Sequence, residues 1–251
     1  MVEDQRHGFD PGSVFDAVAD GYQANRPGYP DALYDTIERV VGPLAGRRVV
    51  DVGAGTGISG RDLAARGARV VALDPSLAMA RTLRGASGWL PATLGRAEAL
   101  PIATGAAELI TCAQAWHWVR LPDAAIECRR VLGPGGRLAL WWNVSEDESA
   151  FFDALETECG IDRYGGRVRQ DDRASLVDVG GFSDVVRDAL RWEWTIPIDH
   201  WMQTVQTRSV LAKLGPVAAE RLGAIEDVAR RFFPGGRVTE WFTTRLAVAI
   251  P

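Results

Sequence analysis

A glycine-rich turn directly after an apolar run is the feature that most restricts the fold of this chain. Residues 49–57 are Val-Val-Asp-Val-Gly-Ala-Gly-Thr-Gly, and a helical pattern begins at Ile58. Glycine accepts positive φ angles and lets a ligand approach the backbone closely. The pattern predicts a buried strand ending near Val52, then a turn and a helix. Open α/β sheets bind ligands at such a turn, at the carboxyl end of the strand.

Short apolar runs alternate with helical patterns over the first two thirds of the chain. This alternation is typical of a parallel α/β sheet. We expect strands at residues 48–52, 69–73, 90–94, 108–113 and 137–142, with helices at 31–41, 58–66, 77–84 and 123–132. The Gly-Pro-Gly-Gly sequence at 133–136 predicts a sharp end of the last of these helices.

The pattern changes after Asn143. Residues 146–178 carry many charges and few apolar runs, which indicates an inserted helical segment. We then expect a strand at 185–196, helices through 233, and a last strand at 238–250. Two long strands without a simple crossover helix indicate an antiparallel end of the sheet. We expect a single domain over 1–251, with a mostly parallel seven-stranded sheet, an antiparallel last strand, and helical cap insertions at 146–178 and 197–235 over an acceptor site.

Charge and cysteine content narrow the class of protein. The chain has 28 basic and 33 acidic residues, a net charge of −5, which argues against non-specific binding to nucleic acid. Its three cysteines are widely spaced without a CxxC pair, which predicts reduced, buried thiols in the cytoplasm. Residues 1–20 are polar and acidic, so we expect no signal peptide, and no apolar run approaches the ~18 residues of a membrane span. We expect no metal site, and a monomer or homodimer.

Two ligand classes compete for the glycine turn. Residues 55–60 match the GxGxxG of a dinucleotide site. The predicted register instead starts the turn at Gly53, which gives GxGxG and puts Ile58 where a third glycine would belong. Asp51, just before the turn, would repel a pyrophosphate, whereas it could hold the ammonium group of a cationic or zwitterionic ligand directly or through water. The register therefore favours a ligand of the second kind.

An acidic residue also ends the second predicted strand. Asp74 follows Gly57 by 17 residues, and its carboxylate can accept hydrogen bonds from both hydroxyls of a ribose. Asp74 or Ser76 can alternatively serve as the N-cap of the helix that begins at Leu77. The strand position and the spacing favour the ribose.

These residues resemble the class I S-adenosylmethionine-dependent methyltransferases. Residues 95–101 (Gly-Arg-Ala-Glu-Ala-Leu-Pro) resemble the third-strand loop of that family, 109–118 (Leu-Ile-Thr-Cys-Ala-Gln-Ala-Trp-His-Trp) its fourth-strand motif, and 131–138 the turn before its fifth strand. The resemblance implies a Rossmann-like, doubly wound fold that binds S-adenosylmethionine and releases S-adenosylhomocysteine, with Ala97 and Glu98 beside the adenine. The cofactor-binding residues that it implies are Asp51, Gly53, Ala54, Gly55, Asp74, Pro75, Ser76, Ala97, Glu98, Ala113 and Gln114.

The N-terminus resembles the small-molecule branch of this family, which includes trans-aconitate methyltransferase-like proteins. The resemblance is carried by the segment 15–19 (Phe-Asp-Ala-Val-Ala), by Tyr22, and by the pairs Arg26-Pro27 and Tyr29-Pro30. It implies that residues 1–30 cover the cofactor and that Tyr22 and Arg26 approach its methionine carboxylate or close the site. The alternative is ordinary helix packing before a proline-rich turn.

Candidate residues for the methyl acceptor follow the fourth and fifth strands. His117 is the candidate general base; it could alternatively contact a ligand or be a structural histidine. Asn143 could hydrogen-bond an acceptor or be a plain loop residue. An aromatic acceptor pocket is predicted from seven tryptophans, with ordinary core as the alternative: Trp116, Trp118, Trp142, Trp192, Trp194, Trp201 and Trp241. Alternation places Trp192 and Trp194 on one face of a strand. Four arginines at 163–173 favour an anionic acceptor unless they form a solvated face.

We expect transfer of a methyl group from S-adenosylmethionine to a small organic acceptor, at the oxygen of a carboxylate or a hydroxyl. A carboxylate needs no base, whereas a hydroxyl benefits from one. The alternatives are a non-catalytic partner protein that binds S-adenosylmethionine, an NAD(P)-dependent oxidoreductase, and a nucleic-acid or protein methyltransferase. The Asn-Pro-Pro-Tyr motif of many base and amide methyltransferases is absent after the fourth strand, which weakens the last alternative.

Overall fold

The computed structural model of this protein describes residues 26–145, 149–160, 182–206 and 218–250. In these ranges the helices are α1 (Asp31–Val41), α2 (Ile58–Ala65), α3 (Leu77–Ala86), α4 (Asp123–Val131), α5 (Ala150–Cys159), α6 (Ile198–Gln206) and α7 (Ala218–Phe232). The strands are β1 (Arg48–Val52), β2 (Arg69–Asp74), β3 (Ala92–Leu94), β4 (Ala107–Ala113), β5 (Leu132–Ser145), β6 (Ser183–Pro197) and β7 (Arg237–Ile250).

The strands form one mixed sheet in the order β3-β2-β1-β4-β5-β7-β6. Strands β1 to β5 pair in parallel, whereas β7 runs antiparallel to both β5 and β6. The predicted Rossmann-like, doubly wound sheet with an antiparallel last strand is confirmed. Its strand order reverses between β1 and β4, and this reversal opens a crevice at the carboxyl ends of the strands.

The bounds predicted for two strands are wrong: β3 begins later, and β5 extends further at both ends. β3 begins at Ala92 rather than at residue 90, because the Leu90 amide donates a hydrogen bond to the Ser87 carbonyl in a turn while its side chain is buried in the core. β5 begins at Leu132 rather than at 137. The Gly-Pro-Gly-Gly sequence does end α4, at Val131, but the chain resumes pairing at once and absorbs the glycines as an irregularity in register.

Hydrophobic clusters cover both faces of the sheet. Trp141 packs on one face with Leu33, Tyr34 and Ile37 of α1, whose spacing places all three on one side of that helix. Trp142 lies on the other face with the residues of α4. Successive side chains of a strand point to opposite faces, which is why adjacent tryptophans enter different clusters.

The β6–β7 pair extends past the end of β5. The last residue of β5, Ser145, pairs with Phe242, whereas β6 and β7 remain paired up to Pro197 and Arg237. The five further residues of β7 correspond to about 17 Å of ribbon above the carboxyl edge. A third hydrophobic cluster, with Trp201 and Val238 among its members, packs α5, α6 and α7 onto this ribbon.

These three helices correspond to the helical parts predicted for the cap. Residues 146–148, 161–181 and 207–217 lie outside the described residues, and with them the four arginines at 163–173. Among the described helices, none combines the length and the apolar character that crossing a membrane requires.

Candidate active site

The glycine turn after β1 has the predicted geometry. Gly53 and Gly55 have φ angles of 66° and 56°, in the left-handed region that glycine tolerates best. A Cβ added at Gly53 would lie 2.6 Å from the Ala115 Cβ, so the β4 loop leaves no room for a side chain there. A Cβ at Gly55 would meet no atom within 4 Å. The turn is therefore packed tightly on one side and open on the other.

Asp51 lies beneath this turn and not in the cleft. It is fully buried, and it accepts hydrogen bonds of 2.7 Å from the hydroxyls of Ser59 and Thr111. Burial raises its pKa to about 6, although the two hydroxyls act in the opposite direction. The predicted contact between Asp51 and an ammonium group needs a correction, because the carboxylate instead ties the start of α2 to β1 and β4.

Asp74 lies at the open side of the turn. Its Oδ2 accepts a hydrogen bond from the Gly55 amide and its Oδ1 one from the Ser76 amide, both at 2.8 Å. The Ser76 hydroxyl accepts from the Met79 amide, so Ser76 is the N-cap of α3. Asp74 is thus left to join the two loops, and a carboxylate has further lone pairs that can accept hydrogen bonds from a ribose.

A cleft opens where the loops after β1, β2, β3 and β4 meet. Its lining includes the following residues predicted to bind the cofactor: Gly53, Gly55, Asp74, Pro75, Ser76, Ala97, Glu98, Ala113 and Gln114. Ala54 is buried and packs into the sheet core instead. A further set of lining residues was not predicted from the sequence: Val52, Leu73, Met79, Gly95, Arg96, Cys112, Ala115 and Val119. The position of Met79 in the first turn of α3, and that of Arg96 in the quoted loop motif, were signals that could have identified these two.

Two polar residues of the cleft are fixed by their backbones or by neighbouring loops. Gln114 has a φ of 59° and is the only non-glycine residue among the described ones with a positive φ. This conformation carries a strain of roughly 1 kcal/mol, and the Gln114 amide is held by a hydrogen bond to the Trp141 carbonyl. Glu98 accepts a hydrogen bond of 2.6 Å from the Arg120 amide, which joins the β3 loop to the β4 loop.

The three consecutive residues Trp116, His117 and Trp118, all predicted to contact the acceptor, form a 3₁₀ turn and point in different directions. Trp118 lines the cleft and is 43% exposed. Its ring packs against that of His117, with a distance of 4.7 Å between the ring centres. His117 is half-buried next to the cleft but not in its lining. Trp116 is 1% exposed and packs in the core, so the prediction that it contacts the acceptor is wrong.

Two other tryptophans predicted to contact the acceptor are also core residues. Trp142 is 3% exposed and lies under β5. Trp201 is 1% exposed and donates its indole hydrogen to the buried Glu240 inside the cap. Because neither ring reaches a cleft, both predictions need correction. His200, next to Trp201 in the chain, makes an edge-on contact with Trp194, at 6.4 Å between ring centres.

Three aromatic residues, Trp192, Trp194 and Phe242, form what we call the aromatic wall, on the β6–β7 ribbon at the level where β5 ends. Trp192 stacks on Phe242 with a distance of 5.3 Å between ring centres and an interplanar angle of 27°, and Trp194 meets Phe242 at 6.3 Å. The prediction that the two tryptophans share one face is confirmed. Both tryptophans are half-buried, unlike the core tryptophans, whereas Phe242 between them is buried.

Asn143 lies two residues before the end of β5, and both ends of its side-chain amide have a partner within the protein. Its Oδ1 accepts from the Thr244 hydroxyl at 2.7 Å, and its Nδ2 donates to the Gly28 carbonyl at 3.0 Å. Arg26, half-buried, begins the described part of this N-terminal segment, whereas Tyr22 lies outside the described residues. The roles predicted for Tyr22 and Arg26 at the cofactor stay predictions.

The cleft suits S-adenosylmethionine. Gly55 leaves open space where a side chain would intrude, Asp74 offers a carboxylate beside the turn for a ribose, and the rest of the lining is mostly apolar. The thiol of Cys112 faces this lining, and burial raises its pKa well above the usual range, so it stays a neutral thiol.

Residues 50–140 match the family model described as "Methyltransferase domain". An uncharacterized methyltransferase of Mycobacterium tuberculosis is 39% identical over 178 residues, which are 71% of this chain and 69% of that protein. The malonyl-[acyl-carrier protein] O-methyltransferase of Methylococcus capsulatus is 42% identical over 138 residues, 51% of this chain and 49% of that protein.

Among solved structures, a protein from Anaeromyxobacter dehalogenans assigned as a type II methyltransferase superposes with a TM-score of 0.68 at 25% identity, over 89% of this chain and 96% of that one. Sequence and fold agree, which decides against the dinucleotide interpretation of the glycine turn. The chain therefore belongs to the methyltransferase family and is a class I enzyme that uses S-adenosylmethionine.

Proposed function

We propose that this enzyme methylates an oxygen atom, of a carboxylate or a hydroxyl, on a small organic acceptor that carries an aromatic or other apolar group. The observation that supports the acceptor class is the aromatic wall at the level where β5 ends, in which two half-buried tryptophans pack on the buried Phe242. Ring stacking and apolar burial against such a wall favour a flat acceptor. The O-methyltransferase of Methylococcus capsulatus, similar over half of this chain, supports oxygen as the target.

The residues of the cleft divide the work of binding and orientation. Asp74 would hold the ribose, while Ala97, Met79 and Val119 offer an apolar surface for the adenine. Bound S-adenosylmethionine supplies a methyl group already activated by the sulfonium. The protein's task is to place the acceptor oxygen in line with that group and to exclude water. The aromatic wall, on the β7 side of β4 and β5, provides the dry surface for the acceptor.

His117 is the residue proposed to take a proton from a hydroxyl acceptor. It follows β4 at the border of the cleft, and histidine is the side chain that most often serves as a general base. A carboxylate acceptor is ionised at neutral pH and would need no such group. The dependence of turnover on His117 therefore distinguishes the two kinds of oxygen.

A matched panel of acceptors tests the proposal. The purified enzyme is incubated with S-adenosylmethionine carrying a labelled methyl group and with benzoates, phenols and anilines of the same ring substitution. We expect labelled methyl esters or aryl methyl ethers, identified by mass spectrometry, and no labelled N-methylanilines. Label that appears only on nitrogen, or only on non-aromatic acceptors, would overturn the proposal. An incubation without enzyme serves as the control for enzyme-independent methylation.

The compartment, the kind of partner and the oligomeric state are further proposals. All three cysteines are free and buried, which suits a reducing compartment such as the cytoplasm. The net charge of −5 supports a small-molecule acceptor rather than a nucleic acid. Light scattering coupled to size exclusion tests the prediction of a monomer or homodimer. A filter-binding assay with RNA and DNA tests the prediction that the enzyme does not bind nucleic acid.

A further inference from the structure

Four groups from three strands and the N-terminal segment form one chain of hydrogen bonds, which we call the polar latch: Trp192, Thr244, Asn143 and Gly28. The Trp192 indole donates to the Thr244 hydroxyl at 2.8 Å, that hydroxyl donates to Asn143 Oδ1 at 2.7 Å, and Asn143 Nδ2 donates to the Gly28 carbonyl at 3.0 Å. Thr244 has no exposed surface, so its two bonds are shielded from water.

Chemistry fixes the direction of the polar latch. An indole nitrogen can only donate, so the Thr244 oxygen accepts from Trp192 and has its single proton left for Asn143. The Gly28 carbonyl can only accept, so Asn143 presents its amide hydrogens to Gly28 and its oxygen to the Thr244 hydroxyl. Loss of the Thr244 hydroxyl would remove the group that sets this orientation and leave the indole without its acceptor.

The polar latch is connected to the cofactor cleft through Trp141. Gly28 belongs to the segment 26–30 that leads into α1, and in this segment Tyr29 packs edge-on against Trp141 at 5.7 Å between ring centres. The Trp141 carbonyl accepts the amide hydrogen of Gln114, which lines the cleft. Trp141 of β5 thus contacts residues 26–30 through its ring and holds the cleft residue Gln114 through its carbonyl.

We propose that Asn143 is a positioning residue, which acts through Thr244 and Trp192 to dock residues 26–30 at the rim of the cofactor cleft. It holds a segment of its own chain and does not contact the methyl acceptor. Docking in advance reduces the conformational freedom that binding would otherwise have to remove, so it tightens cofactor binding. Because Trp192 is also part of the aromatic wall, the same chain links the wall to the N-terminal segment. This role needs only the cofactor site and is independent of which acceptor is used.

Thr244→Val tests the proposal with little change in shape. Valine replaces the hydroxyl by a methyl group in the same β7 position, while Thr244→Ser keeps the hydroxyl and serves as the rescue variant. Thr195→Val is the matched control: it removes the 2.8 Å hydroxyl contact between Thr195 and Thr239, on the same two strands but on their opposite face. Asn143→Ala removes the last link directly and serves as a second test.

The readouts are the affinity for S-adenosylhomocysteine by calorimetry and amide hydrogen exchange in the peptide covering residues 26–33. We expect Thr244→Val and Asn143→Ala to weaken S-adenosylhomocysteine binding about fivefold, the equivalent of one hydrogen bond, and to speed exchange in this peptide. Thr244→Ser should stay within about twofold of the wild type, and Thr195→Val should change neither quantity.

Wild-type affinity and exchange in both Thr244→Val and Asn143→Ala would overturn the proposal. An equal loss of affinity in Thr195→Val would also overturn it, because the effect would then reflect general weakening of the β6–β7 pair.

Discussion

Replacement of Asp74 by asparagine is expected to weaken cofactor binding strongly while leaving the fold intact. The Asp74 carboxylate accepts backbone hydrogen bonds from Gly55 and Ser76, each at 2.8 Å. An asparagine can offer its oxygen to only one of these amides, and its NH2 group must face the other donor. One charged hydrogen bond is lost within the protein, and the ribose loses a charged acceptor.

A hydrogen bond to a charged group contributes about 1.5–3 kcal/mol. Loss of one such bond on the ligand side corresponds to a decrease of about 10- to 150-fold in affinity for S-adenosylhomocysteine. Isothermal titration calorimetry measures this decrease, and a thermal melt of the same sample confirms that the variant is folded.

Asp62→Asn is the matched control for this experiment. Asp62 accepts a hydrogen bond of 2.8 Å from the Tyr34 hydroxyl, and it lies outside the lining of the cleft. Its replacement should leave the affinity within about twofold of the wild type even if the melting temperature changes. A folded Asp74→Asn variant that binds S-adenosylhomocysteine as tightly as the wild type would refute the assignment of the ribose to Asp74.

Three further outcomes are expected. The Asp51 pKa, raised by burial from 3.8 to about 6, means that the folded state holds this proton more tightly than the unfolded state, so its contribution to stability falls as pH rises from about 4 to 6. Asp51→Asn should therefore gain up to about 3 kcal/mol relative to the wild type between pH 4 and pH 7, measured by urea unfolding; a constant difference would contradict the assignment. Gly53→Ala should lower the melting temperature far more than Gly55→Ala, because only the first adds a Cβ 2.6 Å from a neighbouring methyl group, whereas both should reduce S-adenosylhomocysteine affinity in calorimetry. His117→Ala should reduce turnover about 10²- to 10⁴-fold with hydroxyl acceptors and little with carboxylates, at unchanged cofactor affinity; an equal effect on both would assign His117 a structural role.

Much of the sheet and the cofactor cleft was predictable because local patterns determine both. Apolar runs that end in glycine or aspartate define β1 and β2, and the residues that follow a parallel strand lie at its carboxyl edge whatever the rest of the chain does. The choice between Asp74 and Ser76 as the helix cap was open, since both residue types cap helices. Only the structure distinguishes them, because the Met79 amide donates its hydrogen bond to the Ser76 hydroxyl.

The acceptor side was predicted less well because its contacts join distant parts of the chain. Asn143 reaches a carbonyl 115 residues away in sequence, and no local pattern announces such a partner. Tryptophan also occurs in cores and in pockets alike. The difference between buried Trp142 and half-buried Trp192 depends on where β5 stops and the β6–β7 ribbon continues, which follows from pairing and not from composition.

A crystal structure of the enzyme with S-adenosylhomocysteine would test the central claim most directly. We predict the ribose hydroxyls within hydrogen-bonding distance of Asp74, the adenine between Ala97 and Val119, and the sulfur directed toward the β5 side, where the aromatic wall stands. An adenosyl group bound elsewhere would contradict the cofactor site, and a sulfur atom that faces away from Trp192 and Phe242 would contradict the acceptor site.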